Sequence, residues 1–361
     1  MAELKDILAK LYKGGNFKPS SDLRPSLPTS TPSPSVNWAI GGGIYPGLVY
    51  CYEGVESSGK SYFAMECVKN LLKSDPNGIV LWYDAEFSFA HSGSHWRDLL
   101  IAPDDHARIA VKESNNVVEI FDDFNRVIMD LVVNHGAKIL AVVLDSIQAV
   151  KPPAEAKADK STSIIMGDLS KYLPRAFRLI IADSRKYDIP WLMISQVRQN
   201  LDPNAKYTGK QYISSGGQAF KHHTDVEMFF DTAWGKDSKL YGESKGMNEK
   251  PVQIGHTVRM KVRKSKVCPP HRIAEFKVSY KQGIVEVDSE LVHLAINLGI
   301  ITRDGSYYYF NEQKLGLGKP KTIEVVMASP ELREAIMKDV EAFTDQKIIS
   351  GKDIIASDGE E

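Results

Sequence analysis

Eight consecutive residues, Gly54-Val55-Glu56-Ser57-Ser58-Gly59-Lys60-Ser61, satisfy the pattern G-x-x-x-x-G-K-[ST] at every fixed position. Glycines let backbone N–H groups converge on a polyphosphate, the lysine supplies a cation for the β and γ phosphates, and the terminal hydroxyl can ligate Mg²⁺. The apolar run Leu48 to Tyr52 feeds this loop and the helix-compatible run Tyr62 to Leu72 leaves it, so a strand and a helix N-terminus bracket the anion. A nucleoside triphosphate with Mg²⁺ is the expected ligand.

Phosphate transfer also needs a second carboxylate toward the metal and a group to orient the attacking water. Leu140-Ala141-Val142-Val143-Leu144-Asp145 is a buried-strand pattern ending in an acid, which makes Asp145 the partner of Ser61 at the metal. Position 146 is Ser, so the acid that often follows such an aspartate is missing and the base must come from elsewhere. Asp84-Ala85-Glu86 ends the strand Ile79 to Tyr83, and in a parallel sheet that puts Glu86 at the carboxyl edge beside the phosphate loop. Glu86 is read as the base and Asp84 as its polar support.

The elements that must position these groups follow from patterning. Short β-rich runs, with Pro190 to Ile194 as the last, alternate with amphipathic stretches from about residue 37 to 235, which predicts a largely parallel sheet covered by helices, an α/β fold. Residues 257 to 263 alternate apolar with basic and read as a strand with one wet face, followed by the strand Ala274 to Ser279. Beyond Gly283, Asp288 to Leu298 reads as a helix stopped by Gly299, and Ser329-Pro330 starts another with an N-cap and a proline at N1. A small α+β module over 284 to 345 is expected, with 346 to 361 as tail. Residues 3 to 13 place Leu4, Ile7, Leu8 and Leu11 on one helical stripe suited to packing on this chain or another copy. Residues 14 to 36, with prolines at 19, 25, 28, 32 and 34, read as an extended tether, giving an N-terminal unit of 1 to 36 before a core of 37 to 283.

The chain has 361 residues, 43% hydrophobic and 25% charged, which suits a globular protein of one large domain with a smaller attachment. Its net charge of -1 supplies almost no overall attraction for a polyanion, so positive charge must be concentrated locally. Cys51, Cys67 and Cys268 lack metal-ligand spacing and read as reduced thiols. No apolar run reaches the ~18 residues of a membrane span, and the N-terminus lacks a signal-peptide pattern, so a cytoplasmic location without membrane contact is expected.

In order along the chain, these motifs resemble the RecA family of homologous-recombination ATPases. Trp38 through Gly47 looks like the family's glycine-rich lead into the first strand, Asp84-Ala85-Glu86 its catalytic-glutamate motif, and Leu144-Asp145-Ser146 its second nucleotide motif. Ile194-Ser195-Gln196-Val197-Arg198 resembles the strand end whose glutamine senses the γ-phosphate. The runs Lys261 to Lys266 and Lys314 to Lys319 match segments of the core and C-terminal module. The resemblance implies a RecA-like core, ATP bound between adjacent copies in a helical homo-oligomer, and strand exchange between single-stranded DNA and homologous duplex. Single-strand-binding and loader proteins are implied as further partners. By position, Lys264 and Lys266 look like the lysines that reach a neighbour's γ-phosphate, and Lys221 like another interface lysine. The plain alternative for residues 259 to 266 is the solvated face of a strand.

Two polar segments, 151 to 166 and 197 to 215, interrupt the β/α rhythm and read as surface or binding loops. Residues 196 to 221 carry Arg198, Lys206, Lys210 and Lys221 against Asp202, a net +3, interleaved with Tyr207 and Tyr212. Cations for phosphates and rings for bases suit sequence-independent single-strand binding. Gly216 and Gly217 belong to the same DNA-binding segment. Met166-Gly167 followed by Lys171, Arg175 and Arg178 resembles the family's first DNA-binding element, although four lysines against three acids over 151 to 171 give little net charge.

This sequence departs from the family pattern after Glu86, where Ala90 stands near the usual acid, leaving the adenine contact to His95 or Trp96 by stacking. His222 occupies the place of an interface phenylalanine, and a divergent, phage-type member fits these departures. Two other classes share the core motifs: a ring-forming helicase motor, for which no extra domain is visible, and a nucleotide-gated DNA-binding scaffold.

Overall fold

The computed structural model describes residue 13 and residues 26–90, 100–152, 168–200, 212–214, 222–233, 238–242 and 251–350. In chain order the core contains α1 (Pro34–Ile40), β1 (Val49–Gly54), α2 (Lys60–Ser74), β2 (Ile79–Asp84), β3 (Ile109–Glu113), α3 (Val117–Asp123), α4 (Met129–His135) and β4 (Ile139–Asp145). It continues with α5 (Asp168–Lys186), β5 (Trp191–Gln199), β6 (Tyr212–Ser214), β7 (Val226–Thr232), β8 (Lys239–Tyr241), β9 (Gln253–Ser265), β10 (Ile273–Ser279) and β11 (Gly283–Val285). The C-terminal module holds α6 (Val287–Asn297), β12 (Thr302–Asp304), β13 (Tyr307–Phe310), β14 (Gln313–Leu317), α7 (Gly318–Ala328) and α8 (Pro330–Ser350).

The main sheet runs β11-β10-β9-β7-β1-β5-β4-β2-β3, parallel from β7 to β3 and antiparallel from β9 to β11. All seven residues of β4 are buried, as a central parallel strand covered on both faces requires. On one face Phe63 of α2 meets Tyr52, Phe230 and Phe276 at ring separations of 5.3 to 5.5 Å. On the other, Leu173, Phe177 and Ile180 of α5 are buried at helical spacing against Trp191 and Phe121. Each such fully buried side chain contributes about 1.5–3 kcal/mol, so α2 and α5 are anchored firmly beneath the loops they carry. The C-terminal module has its own core of α6, α7 and α8 over the antiparallel sheet β12-β13-β14. Among the described residues no helix is long and apolar enough to cross a membrane.

The structure corrects part of the tether reading. The helical stripe of residues 3 to 13 lies outside the described residues apart from Lys13, but 26 to 36 are not a solvated linker. Thr29 bridges Ile44, and Ser33 caps α1 by accepting from Val36 N (3.1 Å), with Pro34 in the first turn. The Ser-Pro-Ser composition that suggested a tether is here a helix start. Glu290 of α6 completes it: its Oε1 accepts from Ser33 Oγ (2.6 Å), Ser35 N (2.7 Å) and Ser35 Oγ (2.5 Å). The segment 197 to 215 also differs, because β5 continues to Gln199 and pairs antiparallel with β6.

Burial in this seam raises the Glu290 carboxyl from 4.5 to about 7, with the serine hydrogen bonds offsetting only part of it. Between those values the folded chain holds a proton that the unfolded chain has released. Glu290 therefore stabilises fully below about pH 4.5, and that contribution is lost as pH rises through about 7, on the order of 3 kcal/mol in all. Glu290→Gln keeps an acceptor and cannot ionise. In urea titrations it is expected to match the parent at pH 4 and exceed it at pH 8 by that amount; parallel pH dependence in the two proteins would refute the assignment.

Candidate functional site

The phosphate loop bends where a side chain cannot follow. A Cβ on Gly54 would collide with the Phe230 carbonyl oxygen, and Gly59, at φ +89°, precedes the first turn of α2. Glu56 and Ser57 are exposed, while the Val55 carbonyl turns inward and accepts from Ser58 Oγ (2.8 Å) and Lys60 Nζ (2.5 Å). Lys60 is 6% exposed, and burial lowers its pKa to about 8 against the opposing pull of Asp145, Glu86 and Glu56. A buried cation in this loop suits a polyanion, whose charge would restore its full protonation.

Sheet register assembles the rest of the carboxyl edge. Gly54 lies beside Gln196 and Asp84 beside Asp145. Asp145 receives the Ser61 hydroxyl, and burial, followed by the charge of Glu86, raises its carboxyl to about 7. The Ser61–Asp145 pair is a hard-oxygen donor set next to the phosphate loop, which fits Mg²⁺. Asp84 is buried and supports the turn after β2, accepting from Glu86 N (3.2 Å) and Phe89 N (2.6 Å). Glu86 is exposed, and its Oε1 accepts from Ser146 Oγ and from Gln196 Nε2 (3.1 Å). Position 146 thus lacks an acid but supplies a hydroxyl that orients the acid at 86. Asp145 and Ser146 are joined by a cis peptide.

Gln196 is the last residue of β5 in register with β1; from Val197 onward the strand pairs with β6 instead. Lys264 and Lys266 stand at the opposite edge of the sheet. There Lys264 pairs with Glu227 at the start of β7, whereas Gly54 is level with Phe230. Five residues of strand rise separate Asp225, to which Lys266 bonds (2.8 Å), from Phe230, about 16 Å. Lys266 is thus held away from the phosphate loop of its own chain, and Lys264 stands three residues of strand, about 10 Å, from the same level. Burial, then the charge of Lys266, lowers the pKa of Lys264.

Arg175 and Arg178 are exposed on α5, opposite its buried stripe, and Arg198 is exposed on β5. Lys171 is helical in α5. Tyr212 is half-buried with its ring 5.4 Å from that of Phe229. His95, Trp96, Met166, Gly167, Lys206, Tyr207, Lys210, Gly216, Gly217 and Lys221 lie outside the described residues.

Two residues at the site were not singled out from the sequence. Gln148 donates to Ser195 Oγ and to the Gln196 carbonyl (both 2.8 Å), clamping the turn after β4 to the end of β5. Nothing local marks it. His256 is closer to legible: the alternation that buries Val258, Met260 and Val262 puts it on the same face of β9. Its Nε2 is buried without a hydrogen-bond partner among the described residues, 4.0 Å from where a Cβ on Gly59 would stand, and its ring is 5.8 Å from Tyr280. Burial lowers its pKa, which keeps the ring neutral beside the loop.

Residues 26–285 match the RecA N-terminal domain, and residues 289–345 the RecA C-terminal domain. Protein RecA of Arthrospira platensis is 29% identical over 345 residues, covering 94% of this chain and 85% of that protein. Protein RecA of Nostoc sp. is 28% identical over 364 residues, covering 99% and 92%. The crystal structure of the RadB recombinase superposes with a TM-score of 0.47 at 20% identity, over 71% of this chain and 98% of that one.

Proposed function

The chain belongs to the RecA family, and from that membership we propose that it is a DNA-dependent ATPase and recombinase that forms helical filaments on single-stranded DNA and exchanges strands with homologous duplex. The observation that carries this reading is the Gln196–Glu86 hydrogen bond. Its donor stands where β5 leaves the parallel sheet for the pairing with β6, just ahead of the loop between them and within the segment 196 to 221 that carries the net +3. Any movement of that loop on binding DNA therefore acts directly on the group that orients water.

The ATP polyphosphate rests on the N–H groups of residues 54 to 61 with Lys60 at the β and γ phosphates, and Gln196 reports on the γ position. Ser61 and Asp145 would hold Mg²⁺, which would supply positive charge to the phosphate oxygens. Glu86, held by Ser146 and Gln196, orients the attacking water and accepts its proton. His256 and Tyr280 offer ring faces near the loop for the base. The remoteness of Lys264 and Lys266 from their own loop supports their delivery to the ATP of a second copy, so that assembly completes the site.

Electron microscopy of the protein with an ATP analogue and single-stranded oligonucleotide is expected to show filaments, and phosphate release to rise at least about tenfold on adding the DNA. Absence of both would overturn the proposal. Directional unwinding of a forked duplex would instead identify a ring-type motor, and DNA binding with negligible turnover a nucleotide-gated scaffold.

A further inference from the structure

Asp225, just ahead of β7 at the sheet edge remote from the phosphate loop, is fully buried. Its Oδ2 accepts from Val49 N (2.9 Å), and its Oδ1 accepts from two cations, Lys266 Nζ (2.8 Å) and Arg185 Nη2 (2.9 Å). The backbone repeats the connection: Asp225 N donates to the Val49 carbonyl (2.8 Å), and Lys266 N to the Asp225 carbonyl (3.0 Å). Both cations are about half exposed, at 50% and 49% of their side chains. One cation would neutralise the carboxylate. Two on one oxygen leave the cluster positive and facing solvent, at the edge that would meet a second copy.

A buried carboxylate is a poor stabiliser compared with an apolar residue of the same shape, so its stability contribution does not account for this arrangement. Its effect on Lys266 does. The lysine stem is flexible and its ammonium has three donors, of which Asp225 takes one and leaves two for phosphate oxygens. Arg185 keeps the carboxylate compensated while those donors engage elsewhere. It also stands in the last turn of α5, the helix that exposes Arg175 and Arg178.

We infer that Asp225 is a positioning residue: it pre-orders the Lys266 ammonium for the ATP site of an adjoining copy and ties that cation, through Arg185, to the helix that faces DNA. The inference rests on the reading of Lys266 as a cation supplied across the boundary between copies. Preorganisation of this kind raises turnover without altering the protomer's own nucleotide contacts.

The test is steady-state phosphate release by the full chain, with and without single-stranded oligonucleotide, across ATP concentrations. Lys266→Ala is expected to lower DNA-stimulated kcat by about a hundredfold or more. Asp225→Asn, which keeps an acceptor for Val49 N, is expected to lower it about tenfold, with the KM for ATP and the DNA-free rate within about twofold of the parent. In a Lys266→Ala background Asp225→Asn should cause no further loss. A merely structural role would depress DNA-free and DNA-stimulated rates together and act equally in both backgrounds, which would overturn the inference. Unchanged stimulated turnover in Asp225→Asn alongside an inactive Lys266→Ala overturns the positioning role alone, whereas wild-type turnover by Lys266→Ala overturns the reading beneath it as well. A second measurement needs no variant: reductive methylation of DNA-free protein should modify Lys266, whose ammonium is held by Asp225, at least about fivefold more slowly than Lys261, an exposed lysine of β9, the strand that ends one residue before Lys266. Equal rates overturn the inference.

Discussion

Lys60→Ala is expected to abolish nucleotide binding and to reduce ATP hydrolysis by at least about a thousandfold, the cost of about 4 kcal/mol of charge stabilisation. The side chain is almost entirely buried, and in the free chain it faces acids, the Val55 carbonyl and the Ser58 hydroxyl. Burial already lowers its pKa to about 8, so the free loop holds a cation at some cost and a polyphosphate repays it. With alanine at 60, Asp145, Glu86 and Glu56 would confront the phosphates without a counter-charge. Titration with a fluorescent ATP analogue and phosphate release measure the two losses. The nucleotide-free melting temperature should shift by no more than a few degrees, on the order of 1 kcal/mol, because the lysine makes no contact that the core depends on. Hydrolysis within tenfold of the parent would refute the assignment.

Glu86→Gln separates binding from chemistry. The amide oxygen of glutamine can accept the same two hydrogen bonds from Ser146 and Gln196, and the turn is held independently by Asp84, which takes the backbone N–H groups of residues 86 and 89. Only basicity and charge are removed. The expected result is a kcat lower by about 10²- to 10⁴-fold, the usual contribution of a positioned base, with ATP-analogue affinity within about threefold. On single-stranded DNA the variant should remain in its nucleotide-bound assembly after the parent has turned over its ATP and dissociated, as followed by light scattering. Normal turnover would show that water is activated by another group.

The catalytic assignments divide by how local their signals are. The phosphate loop and the strand leading into Asp145 are readable because spacing and apolar run length act within a few residues, and the structure forms both where expected. Glu86 was reached by elimination, from the missing acid at 146. Its hydrogen bond from Gln196 spans 110 residues and has no local signature. Tyr212 shows the reverse: its place in a basic segment is read from the sequence, but its ring contact with Phe229 is not.

The N-terminal segment makes the same point through packing. Proline and serine at 32 to 35 suit a tether or a capped helix equally well, and Glu290, 257 residues away from Ser33, decides for the helix by filling the cap.

Residue order by itself determined the family, the phosphate loop, the buried strands and the alternation that sends apolar side chains inward, since each depends on backbone propensity and periodicity over a short span. Only the tertiary structure decided which strand lies beside which. That ordering sets Gly54 level with Gln196, brings Asp84 to Asp145, and carries Lys264 and Lys266 to the far edge with Asp225 between them and α5. Strand order and register are chosen by the summed burial of side chains from both faces of the sheet, a quantity spread over the whole core and present in no single segment.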